Sequence, residues 1–131
     1  MGRSELREHI FKMIFGIEFT DREQMDEQID LYLDQLVDVS GENRAYMRDK
    51  TLAIAAKAEE IDALLNAHTT GWKTTRMNKV DLSILRLAVY EMKWDEDVPV
   101  KVAINEAVEL GKRFSGDDGP AFINAVLGKL A

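Results

Sequence analysis

At 131 residues the chain is long enough for one domain that buries about two-thirds of its unfolded surface. It has no cysteine, which excludes disulfides, thiol catalysis and cysteine metal sites. Its first residues are charged and no apolar run approaches the ~20 residues of a membrane span, so a cytoplasmic protein without membrane attachment is expected.

The net charge of −7 argues against a general nucleic-acid binder. That charge is uneven, however. Thr20 to Glu42 holds eight acids against Arg22. Basic surface is therefore open to two other segments: Arg44, Arg48, Lys50 and Lys57, and then Lys73, Arg76 and Lys79.

In chain order, Ser4 to Phe19 predicts a first helix. Leu6, Ile10, Met13, Ile14 and Ile17 recur at helical spacing, flanked by Phe11 and Phe15. Thr20 and Glu23 have the T-x-x-E spacing of a capping box, so a second helix is expected from there to about Val39. Its Met25, Ile29, Tyr32, Leu33 and Leu36 would face inward and its acids outward. Ser40-Gly41 punctuates the chain. Asn43 to about Ala67 predicts one long helix whose Ala45, Leu52, Ala55, Ala56 and Ile61 permit close packing. Thr69-Thr70-Gly71 breaks the pattern, and a short turn around Trp72 follows.

Asn78 to Trp94 carries two adjacent apolar stripes. Val80, Ile84, Leu87 and Ala88 form one, continued by Glu91, and Leu85, Val89 and Met92 the other. A surface helix carries a single stripe of about 100°, so two predict a central helix with neighbours on more than one side. Asn78 is its expected cap and Asp81 suits its positive end. Val98 to Val102 alternates like a strand, but the spacing from Val100 through Ile104, Ala107, Val108, Gly111 and Phe114 is helical. Asp97 is then the expected cap, with Pro99 in the first turn. Ser115 to Pro120 reads as a turn, and Ala121 to Leu130 as a last helix burying Phe122, Ile123, Val126 and Leu127. The fold class is all-α, a bundle of about six to seven helices, three before Gly71 and three or four after it.

Few residues speak for catalysis. His9 and His68 stand alone without an E-x-x-H pair, so structural or exposed roles are favoured over metal ligation. Gly116-Asp117-Asp118-Gly119 has G-x-x-G spacing, but two aspartates repel phosphate. It reads as a capped turn, or as a site where one carboxylate hydrogen-bonds a base edge. His68 to Lys79 mixes Lys73, Arg76 and Lys79 with Trp72. Interleaved bases and aromatics can bind single-stranded nucleic acid, while a tryptophan under a turn can equally be a core plug. Arg3, Arg7 and Lys12 lie on or beside one face of the first helix, diluted by Glu5 and Glu8, and spacing alone favours a solvated face. Asn105 and Asn124 sit inside apolar helical segments, where buried amides would satisfy backbone groups between helices.

Three linked segments resemble the NusB family of bacterial transcription antitermination factors. They are Val80-Asp81 through Ile84-Leu85-Arg86-Leu87-Ala88-Val89-Tyr90-Glu91, then Ile104-Asn105-Glu106-Ala107-Val108-Glu109-Leu110-Gly111-Lys112, then Phe122-Ile123-Asn124-Ala125-Val126-Leu127. The resemblance implies an all-helical fold of two small subdomains, here 1–70 and 71–131, with no catalysis and no cofactor or metal. It implies binding to the boxA element of ribosomal RNA leader transcripts with NusE, a small-subunit ribosomal protein, within an RNA polymerase antitermination complex. A homodimer is a further state the family adopts. The positions matching the family's RNA contacts are Arg3, Arg7 and Phe15. The arginine run is reduced to two arginines around Ser4, Glu5 and Leu6, and Phe15 has no hydroxyl. Asp118 matches an acid linked to RNA binding, and Asp81 a position near the partner surface. Ala125 replaces the usual glycine, which predicts a slightly wider helix crossing there. The alternative is a helical adaptor that binds protein with little RNA affinity of its own. An RNA-modifying enzyme using this fold for recognition would need a cofactor domain that the sequence does not supply.

Overall fold

The computed structural model describes residues 1–69 and 71–131. Among these the chain forms seven α-helices and two short 3-10 turns, with no strand. The helices group into two compact units, Met1–Ala56 and Lys57–Ala131. The sequence places the division instead between 70 and 71, at the Thr69-Thr70-Gly71 break, of which Thr70 lies outside the described residues.

The first unit holds α1 (Arg3–Ile17), α2 (Met25–Asp34) and α3 (Gly41–Ala56), each packed against the other two. Leu6, Ile10, Phe11, Met13 and Ile14 of α1 are buried, with Ile29 and Leu33 of α2 and Met47 and Ile54 of α3. Each such side chain contributes roughly 1.5–3 kcal/mol when removed from water. The expected capping box does not form. Thr20 Oγ1 donates back to the Gly16 carbonyl at 3.3 Å, so it finishes α1, and a 3-10 turn at Arg22–Gln24 precedes α2. α2 stops at Asp34 rather than Val39; a few residues on, Asp38 has φ +58°, incompatible with a continuing helix. Ser40 starts α3, its Oγ accepting from the Asn43 N–H at 3.0 Å.

The long helix expected from Asn43 to Ala67 is two helices, broken at Lys57 (φ −98°, ψ 3°). No glycine or proline marks the break, because Ala56, Lys57 and Ala58 all favour helix. Tertiary packing imposes it: α4 (Ala58–His68) packs on α5 (Lys79–Trp94) and α7 (Gly119–Leu130) of the second unit. Nor do the alanines form the core of α3. Ala45 and Ala56 are exposed, and Met47, Lys50, Thr51 and Ile54 are buried in their place.

In the second unit α5 touches α4, α6 (Val100–Phe114) and α7, as two stripes predict for a central helix. Every residue from Asp81 to Val89 is buried. The polar ones are satisfied. Ser83 Oγ donates to the Lys79 carbonyl at 2.7 Å. Arg86 donates both Nε and Nη2 to Asp62 of α4, at 2.9 and 2.7 Å. Asn78 caps α5, accepting from the Asp81 N–H at 2.8 Å. Pro99, not Asp97, occupies the cap position of α6, while the Asp97 N–H turns back to Asp95 Oδ1 at 3.1 Å. α6 and α7 pack tightly at Gly111, where a Cβ would meet Ile123 Cδ1 at 2.9 Å. Ala125, expected at a widened crossing, is exposed. Asn105 and Asn124 are exposed as well, so they satisfy no buried backbone. No helix is long and apolar enough to cross a membrane among the described residues.

Candidate nucleic-acid interface

The chain following α4 sets one aromatic at the surface. The Thr69 hydroxyl lies 2.7 Å from the Leu65 carbonyl and 2.6 Å from that of Trp72, closing the turn. Gly71 supplies φ +79° within it. Asn66 Oδ1 then accepts from the Thr74 N–H at 2.8 Å, fixing the 3-10 turn at Thr74–Arg76 to α4. Trp72 is thereby held 54% exposed, its ring 5.3 Å from Phe122 of α7 at a 60° tilt. Trp72 therefore lies at the surface and is not a core plug.

Trp72 forms one wall of a groove of about 480 Å³, shared with Arg76, Met77, Asn78, Asp81, the 115–119 turn and Phe122. Its floor is hydrogen-bonded internally. Asp81, 6% exposed, accepts from Asn78 Nδ2 at 2.9 Å on one oxygen and from the Ser115 hydroxyl on the other. Gly119 completes this corner: a Cβ there would collide with Ser115 Oγ and reach Asp81 Oδ1 at 3.4 Å. A residue larger than glycine would push the turn off α5.

The rim differs from the floor. Asp118 precedes α7, yet its carboxylate does not cap that helix as the sequence suggests. Its backbone carbonyl receives the Phe122 N–H at 3.1 Å, which places Asp118 and Phe122 one helical turn apart. Lys73, Arg76, Asp117 and Asp118 are exposed. None of their side chains makes a hydrogen bond or ion pair with another described residue. Four sequence candidates, Trp72, Arg76, Asp81 and Asp118, thus converge on one groove. Lys73 lies beside it in sequence, and Lys79 is half-buried at the start of α5. Sequence reasoning assigned Phe122 to the core; its i, i+4 relation to Asp118 was the available signal.

The candidates on α1 are placed differently. Arg3 is exposed at the helix start. Arg7 is 5% exposed, buried rather than on a solvated face. Lys12 pairs with Glu8 at 3.1 Å, and Phe15 meets Phe19 edge-on at 5.2 Å. Phe19 itself is 66% exposed.

The basic segment from Arg44 to Lys57 is not basic surface. Arg44 pairs with Asp34 at 2.9 Å and Arg48 with Asp30 at 3.0 Å, offsetting two of the acids of α2. The Asp30 hydrogen bond and charge hold the Arg48 guanidinium above its ordinary pKa. Lys50 is buried beside the Tyr46 hydroxyl at 3.1 Å, and Lys57 reaches Glu60 at 3.3 Å and the Trp94 ring. His9 Nδ1 lies 2.6 Å from the Tyr32 hydroxyl, and His68 Nδ1–H donates to the Leu64 carbonyl at 2.9 Å.

Comparison with known proteins follows the same lines. The NusB family profile matches residues 4–131. The transcription antitermination protein NusB of Agathobacter rectalis is 50% identical over 131 residues, covering all of both chains. That of Lachnoclostridium phytofermentans is 45% identical over 130 residues, 99% of this chain and 98% of its own. Among solved structures, T. maritima NusB superposes with a TM-score of 0.90 at 29% identity, covering 100% of this chain and 91% of that one. A chain in the crystal structure of a plectonemic RNA supercoil shares the fold at 21% identity, with a TM-score of 0.79 over 96% of this chain and 91% of that one. The chain belongs to the NusB family of transcription antitermination proteins.

Proposed function

We propose that this chain binds the boxA element of ribosomal RNA leader transcripts together with the ribosomal protein NusE, and that the complex helps RNA polymerase read through terminators in ribosomal RNA operons. The observation that carries this reading is the groove beside Trp72. It is lined by an exposed aromatic and by a guanidinium and a carboxylate whose side chains have no partner among the described residues. Single-stranded RNA offers matching groups: an unstacked base for the ring, phosphates for Arg76 and Lys73, and base-edge donors for Asp118. In the first unit, Arg3 and Phe15 of α1 are further RNA contacts, while Arg7 is buried. Asp81 acts by holding the 115–119 turn against the start of α5, where partner and RNA surfaces meet.

A second reading is a protein-binding adaptor with little RNA affinity of its own. The burial of Arg7 and the ion pair of Lys12 favour it, because both remove cations from the reach of phosphate. Fluorescence anisotropy on a boxA-like single strand and its scrambled counterpart, with and without NusE, separates the two. The first reading predicts tighter binding to the boxA-like strand, strengthened by NusE and steeply weakened by salt. Equal, weak binding to both strands under all conditions would sink it. NusE capture without any effect on RNA would leave the adaptor.

A further inference from the structure

We propose that the groove between α1 and α2 is a docking site for the apolar face of a basic amphipathic helix supplied by another protein. The inference stands apart from the RNA-binding reading, and the groove lies wholly within the first unit. It holds about 270 Å³ between Met13, Gly16 and Ile17 of α1 and Gln28, Leu31 and Tyr32 of α2. An apolar cavity of roughly 150 Å³ already admits a benzene ring, so this groove has room for a large apolar side chain. Gly16 opens it: the position is exposed, and a Cβ there would meet nothing within 4 Å. On the α2 wall Leu31 is 49% exposed, an apolar contact left to solvent in the free chain.

Charge selects the occupant. Glu27 and Asp34 lie one helical turn before and after Leu31, and Glu23 precedes the helix. The side chains of Glu23 and Glu27 make no hydrogen bond or ion pair with another described residue. Both α1 and α2 end without a basic residue in the last turn, so neither offsets the negative end of its own dipole. Among the lining residues Lys12 is the one cation, and it already pairs with Glu8 at 3.1 Å. An acidic rim around an apolar slot complements a helix that carries lysine or arginine beside apolar anchors at i, i+3, i+4 and i+7. The same acids repel phosphate, which disfavours nucleic acid here. A second copy docked face to face would set the acids of α2 against themselves.

The test is fluorescence anisotropy on the full chain with a labelled leucine–lysine peptide of about four helical turns, its leucines at i, i+3, i+4 and i+7, and with the matching leucine–glutamate peptide. The lysine peptide should bind and the glutamate peptide should not. Gly16→Phe fills the groove without changing charge and should weaken binding about tenfold or more. Leu31→Glu removes the apolar contact and adds a negative charge. Docking in the groove predicts about tenfold weaker binding for that variant, whereas attraction by charge alone predicts tighter binding. Leu31 is exposed, so this arm stands even where Gly16→Phe disturbs the fold. Glu27→Lys should weaken binding at low salt, with the difference shrinking at high salt. Parent-like or tighter binding in a folded Leu31→Glu variant would overturn the groove as the site. Equal binding of the two peptides would overturn the basic character of the partner. Dimerisation of the parent chain in light scattering, abolished by Gly16→Phe, would assign the groove to a second copy and overturn the proposal.

Discussion

Replacing Asp81 by alanine separates a positioning role from a contact role for this residue. Asp81 is 6% exposed and its two oxygens take hydrogen bonds from Asn78 Nδ2 and the Ser115 hydroxyl. Hydrogen bonds to a charged group contribute about 1.5–3 kcal/mol each. Asn78 is exposed, so water replaces its lost acceptor, and the alanine backbone N–H still donates to Asn78 Oδ1. Ser115 is half-buried and loses most of its bond, and the first turn of α5 loses a charge worth about 0.3–1 kcal/mol to the helix dipole. The sum is a destabilisation of about 2–4 kcal/mol, dominated by the Ser115 bond. For a chain of this length about 3–5 °C is lost per kcal/mol, so the melting temperature should fall by about 6–20 °C. Urea denaturation followed by circular dichroism measures it. Ser115→Ala alone should cost about 1–2 kcal/mol, and the double variant should show a coupling of about 1 kcal/mol or more. A variant Asp81→Ala within about 0.5 kcal/mol of the parent, with no coupling to Ser115, would refute the reasoning and leave the carboxylate free for a partner.

Other changes probe the same architecture. Asp62→Ala removes the two hydrogen bonds that Arg86, whose side chain is 11% exposed, makes to it, and should cost about 2–4 kcal/mol in urea denaturation, below the full range for a buried pair because Asp62 is 24% exposed. A loss under about 0.5 kcal/mol would show the pair to be idle. Gly119→Ala should destabilise by about 1–3 kcal/mol through collision with Ser115, and Ser115→Gly should restore part of that loss; an unaffected melting curve would contradict the close approach. Burial and then the Glu8 charge push the Tyr32 phenol up to about 12 from 10.0. Folding favours its neutral form, so this contribution is complete below pH 10 and is lost as pH rises from about 10 to 12. Phenolate absorbance should show a step near 12 that disappears in Tyr32→Phe; titration of that residue near 10 in the folded protein would contradict it.

The central helix was legible because its signals are local and redundant. Asn78 is a strong cap followed by two complete stripes, and the fold needs only that pattern to bury Ile84, Leu85 and Val89. The break at Lys57 was not legible, since the residues around it all favour helix and only the packing of α4 in the second unit decides it. The capping box at Thr20 failed for a similar reason: the hydroxyl had a competing acceptor, the Gly16 carbonyl one turn back. Within the candidate site, the sequence named Trp72, Arg76 and Asp118 but could not bring them together, because the turn at Ser115 is pinned to Asp81 from 34 residues away. Charge patterning misled at Arg44 and Arg48, whose partners Asp34 and Asp30 lie on another helix.

The central claim is that single-stranded RNA lies across the groove beside Trp72. The most direct measurement is the salt dependence of boxA-like RNA affinity, in the presence of NusE, for the parent and for the double variant Lys73→Glu/Arg76→Glu. Both side chains are exposed and make no ion pair with a described residue, so thermal stability should stay within about 0.5 kcal/mol of the parent. The account predicts weaker binding and a log–log salt slope shallower by about 1.4, the value for two lost phosphate contacts on a single strand. An unchanged slope and affinity in a folded double variant would place the RNA elsewhere and contradict the account.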